Sequence, residues 1–341
     1  MTVELVQSAV AGSTARTYSA GVNKFLVFCE QAGAPRTLPP SDAVVAGFIA
    51  FMCLDRAGRR GDGLAASTIR TYLYALRHAC VITGVEAAFL KSPRVELVWR
   101  AAKKRQAHPV VRRLPITAPM LVEALRELPP GYAAAVLWFA FTLAYAVLLR
   151  LGEVAPSDDG AVPTVEWWVR RDADHFEYRL PRSKTDPFRQ GVIIDVFRVG
   201  GPLCPVSALE RMLLMRPAAW GPRSAGSPLF DLGPGRGHLR KALAVDALKV
   251  AMSRANARLR WGLDMARLGG HCLRRGAACH LHAMGVSDVS IQAAGRWRSW
   301  CFRLYVEQPA ALRRAVMETA TRFSGLAASP VAGASWELRS D

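Results

Sequence analysis

Arg150 in LLRLGEV and Arg274 in GGHCLRRGAA each have a chemically useful neighbour three residues away, Glu153 after the first and His271 before the second. A guanidinium stays charged at physiological pH, and its planar array of N–H groups matches the oxygens of a phosphate. A carboxylate one helical turn away can orient it, and an imidazole at that spacing can take up a proton. Each residue also has a plain alternative, as a solvated arginine at a helix end, half of a surface ion pair, or a buried structural histidine. Other routes to phosphate chemistry are poorly provided for. Metal-dependent transfer needs clustered carboxylates, and no DxD-like group stands near these residues; Asp158-Asp159 sits in a Gly/Pro context that reads as a loop. Gly233-Pro-Gly-Arg-Gly237 lacks the lysine of a phosphate-cradling loop, so ATP use is not indicated. Cys272, Cys279, His280 and His282 fit no common zinc spacing, and buried thiols account for the cysteines more simply. The chemistry must then rest on side chains alone, with no metal and no cofactor.

The charge names the class of partner. Lys and Arg number 45 against 27 Asp and Glu, a net charge of +18, which predicts a polyanion. Cut at Arg113, the chain carries 16 basic and 7 acidic residues before and 29 and 20 after, so each part holds +9 and both would touch the polyanion, as in a clamp. Charge alone does not separate nucleic acid from an acidic membrane surface. The run YAAAVLWFAFTLAYAVLL over 132–149 is uncharged and close to spanning length. It is Ala-rich, stands alone, and stops at Arg150-Leu151-Gly152-Glu153 without interfacial anchors, so a central helix buried on all sides is expected and no membrane partner. Seven scattered cysteines without CxxC spacing, and no basic-then-apolar leader pattern, indicate reduced thiols in an intracellular protein.

Taken together and in order, Arg150 with Glu153, Lys184 in RSKTD, His271 and Arg274, Trp297 in AAGRW, and Tyr305 match the active-site boxes of a known family. The chain resembles the tyrosine recombinase, or phage-integrase, family over nearly its whole length. SKTD, GRW and the eight-residue step from Trp297 to Tyr305 resemble, more narrowly, recombinases of eukaryotic mobile elements of the crypton and DIRS type. The resemblance implies an enzyme that cuts and rejoins double-stranded DNA through a 3′-phosphotyrosyl bond made by Tyr305. Arg150 and Arg274 would grip the non-bridging oxygens, Lys184 would protonate the leaving 5′ oxygen, and Glu153 would orient Arg150. A free phenol has a pKa of about 10, so Tyr305 needs cationic neighbours and a proton acceptor, for which His271 is the nearest candidate. Trp297 stands where the family more often has His; its indole N–H can donate to phosphate but cannot pass a proton. Two departures are the Val306-Glu307 pair after Tyr305, where a basic residue is common, and the glycine pair before His271. Neither removes a catalytic residue. Relatives of this kind assemble as tetramers on DNA through a C-terminal helix, and Leu312, Val316, Thr319, Ala320 and Phe323 form an amphipathic stripe suited to that or to packing on the same domain. The protein would reside with the host DNA, in a nucleus or a nucleoid. Two rival readings stay open: DNA relaxation in the manner of a type IB topoisomerase, and a catalytically inactive DNA-binding protein that keeps the fold.

Groups so far apart in the chain need a rigid frame. The expected fold is mainly α with a small antiparallel sheet: a helical core-binding domain over 1–105, a basic linker over 106–113, and a tyrosine recombinase catalytic domain over 114–341 that ends in the C-terminal helix and tail. In the first part, helices are expected after Ser13-Thr14, Ser41-Asp42 and Ser67-Thr68, with Gly33 as a stop signal and a fourth helix over 95–104. The string Ser13-Thr-Ala-Arg-Thr-Tyr18 recurs as Ser67-Thr-Ile-Arg-Thr-Tyr72; it reads as a pair of N-caps, or as a pair of phosphate contacts at helix starts. The candidate DNA contacts are Arg16 and Arg70 there, and Lys103, Lys104, Arg105, Arg112 and Arg113 around the linker. In the second part, helices are expected over 117–128, 206–215, 245–259 and 273–284, followed by two or three short ones. Strands are expected over 165–169, 175–180 and 191–196, the last two flanking Lys184.

Overall fold

A computed structural model describes residues 9–54, 63–105, 112–157, 160–181, 186 and 190–304, and the chain divides into two units, Met1–Val110 and Val111–Asp341. The first unit is helical: α1 (Gly12–Ala32), α2 (Asp42–Leu54), α3 (Ala66–Ile82) and α4 (Pro93–Arg105), with a 3-10 turn at Ala88–Lys91. Helix α1 lies along α3 and α2 along α4, closing over a core that includes Phe25, Phe28, Phe48, Ile49, Leu73 and Leu76. Ser41 caps α2, its hydroxyl accepting from the Val44 amide at 3.4 Å. The repeated serines do not cap. Helices α1 and α3 start two residues earlier, from Ala11 and Ala65, with no side-chain bond at either cap. Ala11-Gly12 ahead of Ser13 and Ala65-Ala66 ahead of Ser67 let the helices begin sooner, and the hydroxyls of Thr17 and Thr71 instead donate back to the carbonyls of Ser13 and Ser67, both at 2.9 Å.

The second unit is built on α6 (Tyr132–Ala146), preceded by α5 (Ala118–Arg126) with Thr117 as N-cap. Apolar on every side, α6 is buried all round from Phe139 to Tyr145, while Ala133, Ala134, Leu137 and Trp138 of its first half are half-buried; α8 (Pro205–Leu214) and α10 (Cys272–Ala283) pack against it, and α9 (Lys241–Leu259) packs on α5. It ends at Ala146, three residues short of the apolar run, because the chain turns through a left-handed residue at Leu148. The short helix α7 (Leu151–Val154) follows, and α11 (Asp288–Ala294), capped by Ser287, precedes a 3-10 turn at Trp300–Leu304. Among the described residues no helix is long and apolar enough to cross a membrane.

The sheet has three antiparallel strands in the order β1 (Trp168–Arg170), β2 (His175–Leu180), β3 (Val192–Phe197), with Tyr178 paired to Trp168 on one side and Ile194 on the other. The first strand is shorter than expected, since Val165–Trp167 forms a 3-10 turn. In β2 the alternation sends Phe176, Tyr178 and Leu180 into the core. The segment before α5 runs against α10: the Leu114 amide donates to Arg267 O and the Ile116 amide to Cys272 O. A Cβ on Gly276 would collide with the Ile116 backbone, so only glycine permits that approach.

Candidate active site

Helices α6 and α11 end in the same way. At the end of α6, Leu148 N donates to Tyr145 O at 3.4 Å and Leu149 N to Ala144 O at 2.9 Å; at the end of α11, Arg296 N donates to Ala293 O at 2.9 Å and Trp297 N to Gln292 O at 3.0 Å. This double bond pattern closes a helix through one left-handed residue, usually glycine. Here those residues are Leu148 (φ 50°) and Arg296 (φ 55°). A side chain in that conformation costs roughly 1–2 kcal/mol, and such strain gathers at functional sites. Glycine stands one position earlier, at Gly295, where a Cβ would strike the Trp297 ring.

Arg274 ties the two helix ends together. Its Nη1 donates to Leu148 O at 2.8 Å and its Nη2 to Gly295 O. The side chain is buried at 3% exposure, and its guanidinium lies 4.3 Å from the centroid of the Trp297 ring. Helix C-termini carry partial negative charge, so a buried cation at their meeting point is electrostatically matched. Arg296 makes the same connection from the other side, donating to Val147 O, Leu148 O and Glu153 Oε2, each at 3.2 Å. Burial pushes the guanidinium of Arg296 below its ordinary pKa, and the adjacent Glu153 carboxylate opposes that shift.

Glu153 is the hub on the α7 side. It accepts the backbone N–H of Arg150 and the Nη1 of Arg150, both at 2.8 Å, while its own side chain is 8% exposed. Among the described residues Glu153 is the one partner of the Arg150 guanidinium, which leaves its Nε and Nη2 for another acceptor. The Tyr178 hydroxyl donates to Glu153 O at 3.0 Å, and burial pushes that phenol up, keeping it a neutral donor. His271 is the N-cap of α10 and exposed; the helix starts at Cys272, so His271 precedes the first turn instead of lying within it. Its neighbour Gly270 abuts the side chain of Leu151, next to Arg150.

The structure thus links Arg150, Glu153, Arg274 and Trp297, with His271 at the head of the helix that carries Arg274. Trp297 is also a packing residue, 8% exposed and 5.5 Å from Phe302 between ring centroids. Beside it opens a cleft of about 290 Å³, lined by Leu180, Asp186, Gly191 and Val192 on the sheet side and Arg296, Trp297 and Arg298 opposite. Asp186 secures the start of β3, its carboxylate accepting from Gln190 N at 3.1 Å and Gly191 N at 2.8 Å. Lys184, between β2 and β3 in the sequence, and Tyr305 lie outside the described residues. Arg296 is the member that sequence reasoning missed; its only signal was an arginine in G-R-W, at a helix end where glycine would be cheaper. Arg150 and Arg296 on the Glu153 carboxylate, with Arg274 joined to Arg296 through Leu148 O, leave an excess of two positive charges, suited to a phosphodiester whose charge grows in a transition state.

The candidate DNA contacts divide by environment. Arg16, Lys103, Lys104, Arg105 and Arg112 are exposed. Arg70 is engaged within the first unit, pairing with Glu96 at 3.2 Å and lying 4.7 Å from the Trp99 ring. Arg113 donates to Ala266 O and Leu268 O, fastening the start of the second unit to the segment before α10. Cys272 is a buried thiol bonded to backbone, accepting from Gly269 N at 3.2 Å.

No family model matches the sequence, and comparison with curated proteins finds no match. Solved structures do resemble the fold. The XerH site-specific recombinase bound to difH substrate in a pre-cleavage complex aligns at 14% identity and TM-score 0.54, covering 90% of this chain and 79% of that one. The same recombinase in a post-cleavage complex with palindromic difH aligns at 13% and 0.57, covering 90% and 80%. The Tn1549 transposon integrase in complex with transposon right end DNA aligns at 14% and 0.54, covering 92% and 95%. The likeness is one of fold: mainly helical with a small antiparallel sheet, as in tyrosine recombinases.

Proposed function

We propose that this chain is a DNA-cleaving and rejoining enzyme of the tyrosine recombinase type. The observation that carries the reading is the joining of Arg150 and Arg274 at one point of that fold, through Glu153, Arg296 and the Leu148 carbonyl. In this mechanism the two guanidiniums hold the non-bridging oxygens of a phosphodiester, and the Trp297 N–H adds a donor without acid-base work. The Tyr305 hydroxyl attacks phosphorus and gives its proton to His271, while Lys184 protonates the departing 5′ oxygen. The product is a 3′-phosphotyrosyl bond and a free 5′ hydroxyl. A second 5′ hydroxyl reverses the step and restores the phosphodiester, so the bond energy is stored covalently and no nucleotide is consumed.

Double-stranded DNA is the substrate in this reading, held by both units through Arg16, Lys103, Lys104, Arg105 and Arg112, with Arg70 and Arg113 serving mainly the protein itself. The division of labour is a DNA-clamping domain over 1–105, a linker over 106–113 and a catalytic domain over 114–341. Four protomers assemble on DNA through the segment after Tyr305, and the host is a mobile element of the crypton or DIRS type. The test is a nicked target DNA that traps the covalent complex, run on a denaturing gel without metal or ATP. Wild type shifts with the strand bearing a 3′-phosphotyrosine, and Tyr305→Phe does not. An adduct in the Phe variant would assign the nucleophile elsewhere. No adduct for wild type on its verified target would leave a binding protein, and relaxation of supercoils by the monomer without strand exchange would leave a topoisomerase.

A further inference from the structure

We propose that Arg296 is a positioning residue, which fixes the direction of Arg150 by bracing Glu153 against the end of α6. The proposal rests on the recombinase reading only for what Arg150 is held to do. Among the described residues the Arg150 guanidinium has one polar partner, Glu153, so its direction depends on that carboxylate. Glu153 in turn uses Oε1 for the Nη1 of Arg150 and Oε2 for the Arg150 amide and for Arg296. Without Arg296 the carboxylate keeps one main-chain anchor, the Arg150 amide, and the Glu153 and Arg150 side chains are free to turn about it.

Arg296 is suited to stop that motion. Its Nη1 is held by Val147 O and its Nη2 by Leu148 O, both fixed by the closing turn of the most buried helix of the unit. The same Nη2 reaches Glu153. A lysine ammonium is a point charge on a flexible stem, and it lacks the planar geometry that spans these acceptors. The backbone position argues the same way: α11 closes through a left-handed residue where glycine is favoured, and an arginine stands there instead. The side chain accounts for its presence at a site the backbone alone would give to glycine.

That geometry supplies a clean perturbation, since Arg296→Gly removes the brace and relaxes the turn. Arg296→Gln serves the same test if the glycine variant does not fold. Single-turnover formation of the covalent complex should fall about a hundredfold, as for a misplaced catalytic group, with DNA affinity unchanged. In an Arg150→Ala background the same change should cost less than about twofold, because nothing is left to position. Full multiplication of the two losses, or cleavage unchanged by Arg296→Gly, would overturn the proposal. A second readout does not depend on activity: the guanidinium NMR signal of Arg150, assigned by its loss in Arg150→Ala, should be restrained in the full-length wild type and motionally averaged in Arg296→Gly. An unchanged signal would also overturn it. If wild type forms no adduct on its target while the Arg150 signal still collapses, the recombinase reading falls and the brace stands.

Discussion

Replacing Arg274 tests more than catalysis, because its guanidinium is both a candidate phosphate ligand and a tie between two helix ends. In Arg274→Leu the Gly295 carbonyl loses a buried donor, Leu148 O keeps only Arg296, and the contact with Trp297 disappears. An orphaned buried carbonyl costs about 1–3 kcal/mol, and the ring contact adds about 1 kcal/mol. Removing a buried charge returns part of its desolvation penalty, so about 3 kcal/mol is a reasonable net loss. Arg150→Ala gives up one partly exposed ion pair while Glu153 keeps Arg296, a loss of about 1 kcal/mol. For a unit of this size these become drops of about 6–12 °C and about 2–4 °C in melting temperature. Differential scanning calorimetry on the full-length variants reads the difference. Melting temperatures for Arg274→Leu and Arg150→Ala within about 2 °C of each other would refute the account of Arg274 as a tie. If the account holds, Arg150→Ala is the cleaner probe of catalysis, and cleavage lost in Arg274 variants must be read well below their melting point.

Trp297→Phe keeps a ring beneath Arg274 and so isolates the indole N–H; cleavage should fall on the order of 10² with DNA affinity intact, and wild-type rates would reduce the residue to packing. Gly276→Ala drives a methyl into the Ile116 backbone and should give insoluble protein, whereas Gly152→Ala, with nothing within 4 Å of the new methyl, should express and melt like wild type. The hydrogen bond from Arg258 holds the Glu123 carboxyl below its ordinary value of 4.5. That stabilisation is therefore present above pH 4.5 and lost as the pH falls through the lowered value. Melting curves of Arg258→Gln should lie below wild type at neutral pH and converge with it in acid; a constant gap would show that Glu123 is not the partner that matters. Deleting residues 309–341 should preserve binding of one protomer to one site and abolish the larger complex on native gels, and unchanged assembly would remove the proposed role of the tail.

The elements were legible where one residue pattern dominates. The charge-free run ending at Leu149 announced a buried helix, and the strand expected over 175–180 is β2, whose alternation turns Phe176, Tyr178 and Leu180 inward. The errors fell at ends. Nothing in Val147-Leu148-Leu149 signals a left-handed closing turn, because the usual glycine is absent. Ser13 and Ser67 have cap chemistry, yet the small residues before them let the helices begin two positions sooner. Of the residues that the structure brings together, Arg150, Glu153, Arg274 and Trp297 stood out by type and motif, while Arg296 did not. Its contacts to Val147, Leu148 and Glu153 span more than 140 positions of chain, and no local spacing encodes them.

Two of the site's arginines take backbone carbonyls as acceptors, and a carbonyl belongs to a position whatever residue occupies it. Every amino acid at Leu148 or Gly295 presents the same oxygen, provided the turn keeps its shape. A mutational scan should therefore find Arg274 and Arg296 nearly irreplaceable and Leu148 tolerant of other apolar residues. Correlated substitution between these pairs should be silent, because the acceptor is a main-chain oxygen that does not change with the residue. The carbonyl contacts that Arg274 makes at the two helix ends would be invisible to any method that reads structure from coordinated change in sequences, and they emerge only from the path of the main chain.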